Sequence, residues 1–288
     1  MTIGKILITG GTMGLGKALS RHFVSQGHDV VICARNRDQI DKTVRELNQL
    51  ASQNQTILGL PCDISTMESA SVLRDITERK GIFISSLICN AGVIGPIGKF
   101  HVNDLNFWLE AFQINLNGVV NLVNLFLPCM IKQKFGRVIH ISGGGATKPL
   151  QGMSSYASSK AAAVRFVETL AVEYQGSGVT FNSVAPGIMK SRMLDEMLNA
   201  GEEQIGKNLF EKIEIHRKHY QDSTLAATEL IDFLCSESSQ GISGKLISAE
   251  WDNWREWVHH VKELQQSDMY TLRRVTGKDR GQIWGDKL

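Results

Sequence analysis

The chain has 288 residues, 42% of them hydrophobic and 21% charged, which excludes a disordered or collagen-like polymer and leaves room for a sizeable buried core. Its 31 basic and 29 acidic side chains leave a formal charge of +2, so no global field selects a nucleic acid or an anionic membrane, and a small-molecule partner is expected. The five cysteines, Cys33, Cys62, Cys89, Cys129 and Cys235, are dispersed and form no paired metal-ligand motif; free thiols in a reducing cytoplasm and no metal site are the expectation.

Residues 1–11 meet a glycine turn after a very short apolar run, so no targeting peptide is read. Seven apolar, β-rich runs then alternate with helix-patterned segments: 5–9, 29–34, 56–62, 86–90, 137–142, 180–185 and 245–248. Continuous runs such as Ile6-Leu7-Ile8 and Val30-Val31-Ile32 are those of strands buried on both faces, which predicts a parallel α/β sheet. The apolar stretch 119–131, interrupted by Asn121 and Asn124 and closing near Pro128, reads as a buried helix too short for a bilayer, so no membrane insertion is expected. No linker divides residues 1–249, which are taken as one domain. Segment 188–225 lacks a strand signal and follows a strand's carboxyl end, where a substrate lid would sit. Its Lys212, His216, Arg217, Lys218 and His219 are read as a solvated face. The extension 250–288 holds Trp251, Trp254, Trp257 and Trp284, four of the five tryptophans. Spacing of three places the first three on one broad helical face with Val258, Val261 and Leu264. That face would pack on its own domain or at an oligomer contact.

The first strand runs straight into Gly10-Gly11-Thr12-Met13-Gly14-Leu15-Gly16 and then into helical spacing. Strand, glycine turn and helix are what a pyrophosphate needs, because glycines let the backbone approach and the helix N-terminal amides hold negative charge. The second strand's end chooses between dinucleotides: a carboxylate there bonds a ribose hydroxyl, a basic group accommodates a 2′-phosphate. Here Ala34 is followed by Arg35, with no carboxylate until Asp38, so NADP(H) is expected over NAD(H), with a solvated Arg35 as the alternative.

With Asp63 and Ile64 after the third run, Asn90-Ala91-Gly92 after the fourth, Asn115, the Tyr156-Ala-Ser-Ser-Lys160 motif, and Pro186-Gly187 with Ser191, the chain resembles the short-chain dehydrogenase/reductase superfamily over roughly residues 4–248, in its single-domain TGxxxGxG branch. The resemblance implies a Rossmann-type doubly wound parallel sheet of about seven strands with helices on both faces. It implies that Asp63 lies against adenine, that Asn90, Ala91 and Gly92 line the cofactor, and that Pro186, Gly187 and Ser191 meet the nicotinamide. It further implies that Asn115 anchors a water leading to Lys160, and that relatives pair the helices corresponding to 103–131 and 154–175 into a homodimer or homotetramer.

Tyr156 and Lys160, four apart on a helix, face the same way. A nearby ammonium would make the phenol more acidic and fit it to exchange a proton with a carbonyl oxygen during hydride transfer, while Lys160 also holds the nicotinamide ribose. One departure stands out. The family's serine, thirteen residues before the tyrosine, is Gly143 here, and Ser142 lies one residue earlier. Glycines 143–145 could bend the strand end and bring Ser142 or a backbone amide to the substrate oxygen, with Ser154 and Ser155 as substitutes. The leading expectation is an NADP(H)-dependent oxidoreductase acting on a carbonyl or secondary alcohol; the alternative is a catalytically decayed dinucleotide-binding regulator or scaffold. Activated sugars, their lipid-linked forms and simple hydrophobic ketones are all open as substrates.

Overall fold

The computed structural model describes residues 5–218 and 224–282. Seven strands, β1 (Lys5–Thr9), β2 (Val30–Ala34), β3 (Ile57–Pro61), β4 (Ile84–Cys89), β5 (Gly136–Ile141), β6 (Val179–Ala185) and β7 (Lys245–Ser248), form one parallel sheet in the order β3-β2-β1-β4-β5-β6-β7. The helices are α1 (Gly14–Ser25), α2 (Arg37–Asn48), α3 (Met67–Arg79), α4 (Leu105–Phe112), α5 (Gly118–Gln133), α6 (Ser154–Glu173), α7 (Arg192–Ala200), α8 (Glu202–Ile205), α9 (Lys207–Lys218), α10 (Thr224–Cys235) and α11 (Val261–Gln265).

Strand alternation sorts the core into two layers. Ile6, Ile8, Val30, Ile32, Ile139 and Ile141 pack under α1, Leu47 of α2 and α10. Leu7, Val31, Cys33, Leu87 and Val138 point the other way, against α3, α5 and α6. Both sheet faces are therefore dry, as the unbroken apolar runs require. The chain's direction of travel across the sheet reverses between β1 and β4, so their carboxyl ends splay connections apart and open a crevice there.

Two expectations about helices change. Residues 105–133 form one continuous helical stretch, α4 and α5 joined by a π-helical turn at Gln113–Asn117. It runs through Pro128 instead of closing there, because Pro128 and Asn124, whose carbonyl loses its donor, both face solvent. By length and composition this stretch could cross a bilayer, yet 56% of its most apolar window is buried inside the domain, against the sheet.

In the C-terminal extension, residues Trp254–His259 form a 3-10 helix. Trp254 and Trp257 are buried in the same cluster as α10; Trp254 stacks on Phe233 at 5.4 Å, and Trp257 meets Tyr270 at 4.3 Å. Trp251 precedes that helix and is 74% exposed, so the three tryptophans do not share a face. The chain beyond is tied back to the sheet edge, where Leu246 N donates to the Tyr270 carbonyl at 2.8 Å and the buried Lys245 Nζ donates to the carbonyls of Ser267 and Met269. Trp284 and His219 lie outside the described residues.

Candidate active site

At the end of β1 the chain turns through Gly10, whose φ of 64° is left-handed and suits glycine. Gly16, on the first turn of α1, presses so closely on the Gly10 carbonyl and Asn90 that a Cβ would overlap both. Thr12 and Leu15 are buried and Met13 is exposed. The N-cap residue of α1, Met13, offers no side-chain hydrogen bond, and no acidic residue occupies the first turn. By contrast α2, α3 and α7 are capped by Asn36, Thr66 and Ser191. Uncapped amides behind a glycine turn leave α1's positive end free for an anion. Thr9 and Asn90 fix the loop: Thr9 Oγ1 accepts from the amides of Asn90 and Ala91 at 3.0 and 2.9 Å, and Asn90 Nδ2 donates to the Thr9 carbonyl at 2.8 Å. Thr9 was not singled out in the sequence, although it opens the TGxxxGxG pattern.

Beside this loop, Arg35 is exposed at the end of β2 and forms no ion pair among the described residues, whereas Arg37 is engaged with Asp41 at 3.1 Å. Asp63 Oδ1 accepts from the Ser65 amide and hydroxyl at 3.0 and 2.7 Å, and the buried Ile64 packs on Gly118. Pro186, buried, and Gly187, with φ 89°, leave the carboxyl end of β6. Ser191 spends its hydroxyl as the cap of α7, accepting from the Leu194 amide at 3.3 Å.

Lys160 is buried, and its Nζ donates to the Ile141 carbonyl at the end of β5, at 2.6 Å. Asn115, fully buried in the π-helical turn, clamps the strand-β4 connection: its Oδ1 accepts from Val93 N at 2.9 Å, and its Nδ2 donates to the Val93 carbonyl at 2.8 Å and to Ser159 Oγ at 3.0 Å. Ser159 in turn donates to the Tyr156 carbonyl, a link the sequence reading missed although Ser159 lies inside the YxxxK motif. A Cβ at Gly92 would stand 3.0 Å from Asn115 Oδ1, 3.3 Å from Lys160 Nζ and 3.8 Å from Met193 Cε. Gly92, Asn115, Lys160 and the first turn of α7 therefore converge on one spot.

Electrostatics run against one expectation. Burial pushes the Tyr156 phenol up to about 12 instead of making it more acidic, and burial draws Lys160 down to about 8. The surroundings explain the second shift, since no carboxylate among the described residues is coupled to Lys160 and the nearby His140 is buried and held neutral by burial and by Lys160 itself.

The serine substitutes are not delivered to the tyrosine. None of Gly143, Gly144 and Gly145 has positive φ, and Gly143 is fully extended at φ −174° and ψ 172°, so the chain turns only after it, in the 3-10 turn Gly144–Ala146. A Cβ on Gly143 would point at the Tyr156 hydroxyl; Ser142, one residue back along extended chain, projects to the opposite side. Its Oγ is buried without a hydrogen-bond partner among the described residues. Ser154 Oγ accepts from Trp108 Nε1 at 2.9 Å, and Ser155 Oγ is directed to the Ile94 carbonyl. Ser142→Ala is accordingly expected to change kcat by no more than about threefold, because the lost hydroxyl makes no bond; a hundredfold loss would place it at the reacting oxygen.

Tyr156 is half-buried and packs on a hydrophobic cluster of Ile94, Met153, Leu194, Ile205 and Ile213 with Ile188, Met197 and Phe210 around it. Most of these come from segment 188–225, whose α8 leans on the loop after β5: Gln151 Nε2 donates to the Glu203 carbonyl at 3.2 Å. An open cavity of about 330 Å³ lies next to this cluster, lined by Val93, Ile94, Pro96, Phe107, Glu110 and Ala111 and by the Arg192–Glu196 ion pair.

The short chain dehydrogenase family profile matches residues 4–201. The chain is 30% identical over 242 residues to the 7alpha-hydroxysteroid dehydrogenase of Escherichia coli K12, covering 84% of this chain and 91% of the relative. In fold it is similar to a variant of actinorhodin polyketide ketoreductase solved with NADPH, with TM-score 0.75, 23% identity, and 85% and 95% of the two chains covered. An NAD+-bound xylitol dehydrogenase matches with TM-score 0.75 and 19% identity over 86% and 98% of the chains.

Proposed function

The chain belongs to the short-chain dehydrogenase family, and from that membership we propose that it is an NADP(H)-dependent oxidoreductase interconverting an apolar ketone and its secondary alcohol, with Tyr156 as the acid–base group. One observation carries the reading: Tyr156, Lys160 and Asn115 gather at the carboxyl end of β5, beside the crevice that the glycine loop opens. A module that only held a nucleotide would not need all three together.

The residues fit a nicotinamide dinucleotide. The bare amides of α1 with Gly10, Thr12, Met13, Gly14, Leu15 and Gly16 suit its pyrophosphate, Asp63 and Ile64 flank the adenine side, and Asn90, Ala91, Gly92, Pro186, Gly187 and Ser191 border the nicotinamide side. When bound, the nicotinamide supplies or accepts the hydride. The Tyr156 hydroxyl hands its proton to the carbonyl oxygen in reduction and takes it back in oxidation. Lys160 holds the ribose and, drawn down to about 8, gives up its proton more readily than an ordinary lysine; Asn115 keeps the Val93 and Ser159 contacts that align the helix carrying both. Ser142 is given no part in this scheme.

Arg35 supports the phosphorylated cofactor, since it stands without an ion pair among the described residues at the end of β2, while Arg37 is engaged. Arg35→Ala is expected to raise the NADPH Kd roughly 10- to 100-fold, the worth of a charge-assisted phosphate contact, and to leave NADH affinity unchanged. Equal losses for both cofactors, or none, would assign Arg35 to the solvent.

The hydrophobic cluster on which Tyr156 packs supports a hydrophobic ketone over an activated sugar. It also supports segment 188–225 as a lid. The similarity to a hydroxysteroid dehydrogenase points the same way. Exposed Leu105, Phe107 and Leu109 on α4 and Val172 on α6 support a homodimer or homotetramer, and the unpaired cysteines support a reducing, cytoplasmic setting. The test is consumption of NADPH against NADH over a panel of bulky ketones and of sugar nucleotides. The reading requires turnover with the ketones and NADPH; NADPH binding with no turnover of any class favours a regulator.

A further inference from the structure

We infer that Gly143 is a positioning residue, whose missing side chain makes the berth in which the Tyr156 hydroxyl sits. The glycine is not there for its backbone. With φ −174° and ψ 172° it is extended, a conformation open to every residue. What it supplies is space: a Cβ built on it would overlap the Tyr156 Oη and stand 3.3 Å from Cζ and 3.6 Å from Cε1. The neighbouring Gly144 has nothing within 4 Å of its Cβ position, so the overlap with the hydroxyl is specific to one of three consecutive glycines.

The tyrosine cannot yield cheaply. Its ring is packed against Ile94, Met153 and Leu194, and it leaves a helix whose next residues are tied down, through Ser159 to Asn115 and through Lys160 to the Ile141 carbonyl. A rigid ring on an anchored helix moves its hydroxyl only by repacking that cluster. The space a side chain at 143 would fill is thus occupied by the tyrosine's own hydroxyl, and the two exclude each other. A serine at 143 therefore damages the site.

This inference rests on the reading of Tyr156 as the acid–base group only for its effect on rate; the packing claim stands apart from it. The test is a double-mutant cycle on the full chain, with Gly143→Ala, Gly143→Ser, Tyr156→Phe and Gly143→Ala/Tyr156→Phe, and Gly144→Ala as control. Melting temperature, NADPH Kd by fluorescence, and kcat and KM are measured for each. With Tyr156 in place, Gly143→Ala and Gly143→Ser lower Tm by roughly 3–8 °C, the range for overpacking. In the Tyr156→Phe background Gly143→Ala costs less than about half of that, since the overlapping atom is gone. Both single variants at 143 lose kcat by on the order of 100-fold through a misplaced hydroxyl, with NADPH Kd unchanged and Gly144→Ala like wild type. Equal Tm losses in the two backgrounds, failure of both backgrounds to fold, or full kcat in Gly143→Ser overturns the inference. Should Tyr156→Phe itself keep wild-type turnover, the catalytic reading falls while the Tm cycle still decides the berth.

Discussion

Tyr156→Phe is expected to lower ketone reduction by roughly 10²- to 10⁴-fold, the usual worth of a positioned general acid, while NADPH Kd stays within about twofold, because the lost oxygen belongs to the reacting end of the site and not to the nucleotide cleft. Steady-state kinetics and fluorescence titration read the two quantities separately. The raised phenol adds a direction. A group held up at about 12 is protonated throughout the neutral range, which suits giving a proton to a carbonyl oxygen and leaves little phenolate to take one from an alcohol. Reduction is therefore expected to run flat through neutrality, and alcohol oxidation to rise with pH. An oxidation rate already level at about pH 6 would mean that a bound partner brings the phenol far below its ordinary value, and would restore the acidified tyrosine that the sequence suggests.

Lys160→Met is expected to remove turnover and yet stabilise the fold at neutral pH. Lys160 is drawn from an ordinary 10.5 to about 8 by burial. Below pH 8 the ammonium is charged in both folded and unfolded chains, and the folded state bears the whole desolvation cost. Between 8 and 10.5 the unfolded chain holds the extra proton, so stability climbs with pH; above 10.5 the cost has vanished. The interval corresponds to about 3 kcal/mol. Loss of the Nζ bond to the Ile141 carbonyl returns about 1 kcal/mol of that. A gain of about 2 kcal/mol at neutral pH, shrinking to a net loss once the pH passes the ordinary lysine value, is the expected signature in denaturant titrations. A variant less stable at neutral pH with an unchanged pH slope would mean that the lysine is not strained in its pocket. A site that lowers stability for the sake of a reactive amine is a residue held for chemistry.

The architecture was legible because strands dry on both faces have no polar positions to confuse the reading: Ile6-Leu7-Ile8 and Val30-Val31-Ile32 announce themselves, and the glycine loop falls between β1 and α1 where its anion-binding amides are needed. Strand ends shift by one or two residues in β2 to β6, as at Ile84 and at Gly136. The tryptophan face failed for a periodic reason. Spacing of three repeats in a 3-10 helix, which pairs Trp254 with Trp257, and Trp251 lies before that helix begins. In the site, Tyr156 with Lys160 was readable from helical spacing, and Arg35 from its place after β2. The sign of the phenol's shift was not, because it depends on how dry the pocket is, and burial is what sets it. Nor could counting thirteen residues back from Tyr156 reveal that the hydroxyl lies over Gly143, since that contact is set by how α6 packs across the end of β5.

A crystal structure with NADP(H) and a ketone or alcohol bound tests the central claim most directly. The account predicts the substrate oxygen within hydrogen-bond reach of the Tyr156 hydroxyl, Lys160 on the nicotinamide ribose, and the 2′-phosphate at Arg35. A nicotinamide lying away from Tyr156, or Tyr156 and Lys160 turned apart around it, would contradict the account and reduce the protein to a holder of nucleotide.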